Sequence, residues 1–255
     1  MALPAKRAAF FDVDNTLIRG STIYFLGRGM YQRGYFTKKD VSRFVLANLR
    51  FRLTGKENKE EIARYQKSAT DFIGGHSVKD IEAIAQEIYD EYVSPAIWQG
   101  TIEIAQKHLS SNEEVWLVTA APEDMAVVIA KRLGLTGALG SKAEIKDGAY
   151  TGAMLGALLH GKEKAIAVQD LAQRTGLNLA ECYAYSDSHN DLPLLQCVGH
   201  PSAINPDAIL GLRAMAEGWP IYDFRKARFI GRAISPLVVR LAALMTWLTP
   251  RRKRS

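Results

Sequence analysis

Three times along this chain a short apolar run, rich in β-branched or aromatic residues, stops at a polar cluster and gives way to a helical pattern. The runs are 8–11 before DVDNT, 115–118 before TAAPED, and 182–185 before SDSHND. Strands separated by helices pair in parallel. The pattern therefore predicts an α/β fold, a Rossmann-like parallel sheet with helices on both faces and its ligands at the carboxyl ends of the strands. All three polar clusters fall at that edge. Helix starts are marked by Pro122 ahead of Glu123 and Asp124, by Asn205-Pro206-Asp207, and by Gly161 ahead of 162–174. The segment KAEIKDGAYT alternates around Asp147-Gly148 and reads as a β-hairpin.

Residues 21–97 carry no convincing strand. They show helical periodicity near 22–33, 38–53, 57–73 and 77–93, with Thr37/Asp40 and Ser77/Asp80 as N-cap pairs and with Gly34, Gly55 and Gly74-Gly75 as breakers. The expected organisation is a catalytic core of 1–20 and 98–224, a helical-bundle cap at 21–97 inserted after the first strand, and a tail at 225–255.

A chain of 255 residues, 47% hydrophobic and 24% charged, excludes disordered, collagenous and disulfide-rich classes. Its two cysteines, Cys182 and Cys197, sit in apolar surroundings that suit a reducing compartment. The N-terminus lacks a signal-peptide core, so a cytoplasmic protein is expected. The net charge of +6 is misleading, because residues 225–255 hold nine basic residues and no acidic one, leaving the first 224 at −3. No nucleic-acid partner is expected of the body. Within the tail, 237–249 carries a single charge, Arg240, and is too short for the about 20 residues that cross a bilayer. It reads either as a surface helix that holds the protein at an anionic membrane or as a face packed on the core or on a second subunit in a homodimer.

In DVDNT, Asp12 and Asp14 lie two residues apart at a strand end, where extended geometry turns both carboxylates to one side. Two neighbouring anions call for a cation, and Mg²⁺ prefers oxygen ligands; an Asx turn capping the next segment is the structural alternative. Asp187 and Asp191 repeat the pattern in the third cluster, with a capped helix start as the alternative. WLVTAAPED ends its strand in Thr119 and is expected to open a helix over 120–122, offering a hydroxyl and backbone N–H groups to an anion. Lys162 and Lys164 stand at a helix N-terminus, which a phosphate partner would explain and simple solvation would explain equally.

Together these pieces resemble the haloacid dehalogenase superfamily. DVDNT, the Thr119 turn, a lysine and the DSHND loop match its four motifs over about 8–210, and the helical insertion after the first motif is similar to the phosphoserine phosphatase subgroup. The resemblance implies Asp12 as nucleophile, forming an aspartyl-phosphate, and Asp14 as general acid and base. It implies Thr119, the Ala120 N–H, Asn190 and Lys164 as phosphate ligands, with Asp191 orienting Lys164. Lys164 is chosen over Lys162 because its separation of 23 residues from Asp187 is similar to that of phosphoserine phosphatases. Mg²⁺ would sit between Asp12, the Asp14 carbonyl and Asp187. His189 has no role in the family pattern.

The resemblance departs at Ser21. Phosphoserine phosphatases carry there, nine residues after the nucleophile, a glutamate that pairs with the substrate ammonium. Arg43, Arg50 and Arg52 of the cap offer a second anion site or merely a solvated face. The expected function is Mg²⁺-dependent hydrolysis of a small phosphorylated metabolite such as phosphoserine or histidinol phosphate. The alternatives are a lipid-phosphate phosphatase at the membrane surface and a non-enzymatic lipid- or nucleic-acid-binding module.

Overall fold

The structure, a computed structural model, describes residues 6–35 and 73–225. The expected helices near 38–53 and 57–73, the Thr37/Asp40 cap, Arg43, Arg50, Arg52 and the tail beyond Arg225 lie outside the described residues.

Six strands form one sheet in the order β3-β2-β1-β6-β7-β8, all pairs parallel. They are β1 (Ala8–Phe11), β2 (Glu114–Pro122), β3 (Gly137–Ser141), β6 (Tyr183–Ser186), β7 (His200–Ile204) and β8 (Ile221–Tyr222). β1 lies in the middle. All four of its residues are fully buried, as a strand covered on both faces requires, and its alternation sorts them into two cores. Ala9 and Phe11 join Val115, Leu117 and Tyr185 on one face, while Ala8 and Phe10 join Val118, Ala184 and Ala203 on the other.

The first face is covered by α3 (Gln99–Ser110) and α4 (Glu123–Arg132), the second by α5 (Lys162–Thr175), α6 (Leu192–Gln196) and α7 (Ala208–Glu217). Local chemistry sets the ends of these helices. α5 begins after Gly161 at φ 54° and ends at Gly176 at φ 74°, conformations that favour glycine. Asp207 caps α7 by accepting from the Leu210 N–H at 2.8 Å. The expected hairpin is present as β4 (Ala143–Lys146) and β5 (Ala149–Met154), turned by Asp147 and Gly148 with positive φ at both.

Between β1 and α3 the chain leaves the sheet through α1 (Thr22–Gln32) and returns through α2 (Val78–Ile88), a π-helical turn (Tyr89–Val93) and a 3₁₀ turn (Ser94–Ala96). Ser77 caps α2 by accepting from Asp80 N–H, as its spacing predicts. The exit and return are stitched together. Ile18 bridges Ile97, the Arg19 N–H donates to the Ala96 carbonyl at 2.8 Å, and the Trp98 N–H donates to the Leu17 carbonyl at 2.9 Å. α1 meets α2 so closely that a Cβ on Gly29 would come within 2.4 Å of Ile88.

One expectation is corrected. The helix after Thr119 does not open over 120–122. β2 continues to Pro122 through a register shift past Val118, pairing again at Pro122 with Ser141, and α4 starts only at Glu123. The proline caps the helix rather than entering it. Among the described residues no helix is long and apolar enough to cross a membrane.

Candidate active site

Register brings the three polar clusters to one edge. Phe11 pairs with Leu117 on one side and with Tyr185 on the other, so Asp12, Thr119 and Asp187 emerge from adjacent strands at nearly the same level. The Asp12 N–H still donates to the Tyr185 carbonyl at 2.9 Å, which holds this residue in the strand line.

Asp12 is buried, and both of its oxygens are engaged. Lys164 donates to Oδ1 at 2.6 Å and the Thr16 hydroxyl donates to Oδ2 at 3.0 Å. Lys164 also donates to Asp191 Oδ2 at 2.7 Å, and Asp191 accepts the Ser186 hydroxyl at 2.7 Å. The lysine is thus clamped between two buried carboxylates, in the first turn of α5. Lys162, its rival on sequence, is 80% exposed, against 4% for Lys164, and its near partner is Glu163. Asp187 reaches the Thr16 hydroxyl at 3.5 Å, so Thr16 sits between the Asp12 and Asp187 carboxylates.

Burial sets the electrostatics. It pushes the Asp12 carboxyl up to about 7, with Asp191 and Asp14 adding to the rise and Lys164 opposing it. Burial likewise lifts Asp187 to about 8, with Asp12 and Asp191 adding. Burial works against the Lys164 charge, yet Asp12 and Asp191 hold that group well above the ordinary lysine range. Three acidic side chains with one lysine make a site short of positive charge.

A divalent cation fits that shortage. The donors facing one another are carboxylate and hydroxyl oxygens, the ligand class that Mg²⁺ takes. Among the described residues no three His, Cys, Asp or Glu side chains gather as a ready metal site. A bound ion would therefore rest on Asp12 and Asp187 and complete its shell with main-chain oxygen and water.

Asp14 is turned elsewhere. Its Oδ1 accepts from the Thr22 N–H at 2.8 Å and from the Thr22 hydroxyl at 2.6 Å, so the carboxylate caps α1 in place of Ser21, whose side chain makes no cap bond. This is not the local Asx turn considered for DVDNT, since Asp14 reaches a helix start eight residues on, while Asp12 joins the ionic cluster. Thr119 is buried and accepts the Ala121 N–H at 3.1 Å, which leaves its own O–H free to donate. The Ala120 carbonyl accepts the Ser141 hydroxyl at 2.8 Å. Asn190 is half-buried on the 3₁₀ turn that follows Asp187, its N–H directed to the Ser188 hydroxyl.

Sequence reasoning missed Thr16, Ser186 and Thr22, which orient the carboxylates. It also missed the loop after β7. There the Asn205 amide donates to the Asn15 carbonyl at 3.0 Å, the Asp207 N–H donates to the Asp187 carbonyl at 2.7 Å, and Asp207 Oδ2 accepts from the His189 N–H at 2.9 Å. Ser186 stands beside Asp187 in the sequence and Thr16 closes the DVDNT cluster, which were the available signals for those two; nothing local marks Thr22. Asn205-Pro206-Asp207 carried only a helix-start signal.

Residues 9–196 match the family of haloacid dehalogenase-like hydrolases. Phosphoserine phosphatase SerB1 of Mycobacterium tuberculosis is 51% identical over 236 residues, 92% of this chain and 77% of its own length. A histidinol-phosphatase of Neisseria meningitidis serogroup C is 30% identical over 225 residues, 86% of this chain and all of its own. Among solved structures, a protein of unknown function from Bordetella pertussis aligns with a TM-score of 0.77 at 27% identity, over 86% of this chain and 99% of that one. The chain belongs to the haloacid dehalogenase-like hydrolases, among their phosphatases.

Proposed function

We propose that this phosphatase hydrolyses small phosphorylated metabolites with Mg²⁺, through a phosphoryl group carried on Asp12. The observation that carries the reading is the Lys164 ammonium locked between Asp12 and Asp191 in a buried site. A lysine so placed can neutralise phosphoryl oxygens without having to be ordered first.

In the first step an Asp12 oxygen attacks phosphorus and the bond to the leaving oxygen breaks. Asp14, released from Thr22, gives that oxygen its proton. In the second step Asp14 takes a proton from water, whose oxygen displaces Asp12 and leaves as inorganic phosphate. Throughout, Lys164, the free Thr119 hydroxyl, the Ala120 N–H and Asn190 would bind the phosphoryl oxygens. Mg²⁺, held by Asp12, the Asp14 carbonyl and Asp187, would supply charge neutralisation at the phosphoryl oxygens. Asp191 keeps Lys164 in place.

We assign 21–97 as the cap over this edge, 1–20 with 98–224 as the core, and 225–255 as a separate tail. The two named relatives are a phosphoserine phosphatase and a histidinol-phosphatase, which favours phosphoserine or histidinol phosphate. Ser21 in place of the family glutamate shifts the balance toward a leaving group without an ammonium contact there. Cys182 and Cys197 are unpaired thiols, which agrees with a cytoplasmic setting.

The test is phosphate release, with and without Mg²⁺, from phosphoserine, histidinol phosphate, sugar phosphates, lysophosphatidate and phosphatidylglycerophosphate. Asp12→Asn serves as control. Turnover of a soluble ester that needs Mg²⁺ and vanishes in Asp12→Asn is expected. Selective turnover of a lipid ester would replace the metabolite reading with a membrane-surface one, and residual activity within tenfold in Asp12→Asn would remove Asp12 as nucleophile.

A further inference from the structure

The two acidic loops come from strands β1 and β6, and one short segment after β7 touches both. Asn205 is 3% exposed and holds φ 49°, a left-handed conformation costly for a residue with a side chain. Its amide spends that geometry on two contacts. Nδ2 donates to the Asn15 carbonyl inside DVDNT at 3.0 Å, and Oδ1 accepts the Phe224 N–H at 2.8 Å. Its own N–H donates to the Tyr222 carbonyl at 2.7 Å, fixing the loop to edge strand β8.

Two residues later, Asp207 faces the other acidic loop. Its N–H donates to the Asp187 carbonyl at 2.7 Å. Oδ2 accepts from the His189 N–H and lies 2.9 Å from His189 Nδ1, while Oδ1 serves the α7 cap. The loop thus holds the main chain of Asn15 between Asp14 and Thr16, and that of Asp187 itself, from a single rigid corner. Capping alone needs only one Asp207 oxygen and does not involve Asn205.

We propose that Asn205 and Asp207 are positioning residues that set the spacing of the two acidic loops, and so the separation of the carboxylates that share a Mg²⁺ ion. The proposal rests on the Mg²⁺ reading above. It also gives His189 a purpose, as the point at which Asp207 grips its loop. Groups of this kind, which hold ligands without touching the ion, typically change metal affinity by about 10- to 100-fold when lost.

The test is calorimetric titration of MgCl₂ into the full chain, paired with melting curves in chelator. Asn205→Gly keeps the left-handed backbone and deletes both amide contacts. Asp207→Ser keeps a competent helix cap but is too short to reach His189. Leu210→Ala removes a buried α7 side chain that belongs to neither acidic loop, keeps the backbone N–H that Asp207 caps, and reports general loss of stability. Asp187→Asn reports the metal site itself.

The expected result is wild-type Mg²⁺ binding weakened at least tenfold by Asn205→Gly and by Asp207→Ser and left within twofold by Leu210→Ala, even though the last lowers the melting temperature. Either loop variant binding within twofold of wild type removes that residue from the clamp. An equal loss in Leu210→Ala reduces the clamp to ordinary folding. If wild type gives no Mg²⁺ heat, or Asp187→Asn binds as well as wild type, the metal reading itself fails, which is a separate and recognisable outcome.

Discussion

Lys164 is the cation that two buried carboxylates share. Lys164→Met leaves Asp12 and Asp191 buried without their partner, and breaking one side of a buried ion pair costs about 3–5 kcal/mol. That loss should be largest at pH 8 and smaller at pH 5.5, where the orphaned Asp12 carboxyl takes up a proton; urea unfolding at the two pH values measures it. The intact protein has its own pH signature. Because Asp12 and Asp187 are raised to about 7 and about 8, the folded state binds more protons than the unfolded chain from about pH 4 upward. Their contribution to stability is complete below about pH 4 and is lost as pH rises through 7 to 8. Melting temperature in chelator should fall from pH 6 to 8.5, and MgCl₂ should restore most at the alkaline end. A third expectation concerns Thr22. Thr22→Val removes a 2.6 Å hydroxyl bond to Asp14 but spares the N–H bond, and should cost about 1–2 kcal/mol in equilibrium unfolding. At this scale Asp12, Asp187 and Asp191 were legible because paired acids at strand ends have few local explanations. Thr16, Thr22 and Asn205 were not, since a single hydroxyl or amide has many, and Asn205 finds Asn15 from 190 residues away.

Among the elements, β2 and α4 meet at the turn that presents Thr119. Gly140 of β3 lies against the first residue of α4, and a Cβ there would stand 2.4 Å from the Glu123 Cα, a backbone atom that cannot swing aside. Gly140→Ala should therefore displace the start of α4 and destabilise by about 1–3 kcal/mol. A rise in substrate KM should accompany the drop in melting temperature, because the same turn carries Thr119 and Ala120. Strands β1, β2 and β6 and the hairpin at Asp147-Gly148 could be read from the chain because their signals are short-range: continuous apolar runs, and two residues suited to positive φ. The end of β2 could not. Pro122 ahead of Glu123 and Asp124 looks the same whether it starts a helix or closes a strand, and the choice depends on Ser141, which re-pairs with Pro122 and ties down the Ala120 carbonyl from β3.

At the level of the whole molecule, the sheet and its acidic edge followed from the order of strand and helix signals, since parallel neighbours place the ends of β1, β2 and β6 side by side. The groups that grip that edge come from β7, the strand beside β6, through a loop distant in sequence that no local pattern marks as part of the site. The segment that leaves after β1 has a different relation to the rest. Its two necks, at Leu17 to Arg19 and at Ala96 to Trp98, are hydrogen-bonded to each other at the exact place where the chain departs and rejoins. Such a paired neck makes the segment a cassette: the sheet receives both ends at one fixed socket whatever lies beyond it. If the segment is the cap proposed above, a relative's insert grafted onto these necks with Thr22 kept as the Asp14 partner should leave Asp12, Lys164 and Asp187 in place while changing which esters are accepted, so that substrate range would be exchanged by replacement and not by redesign of the site.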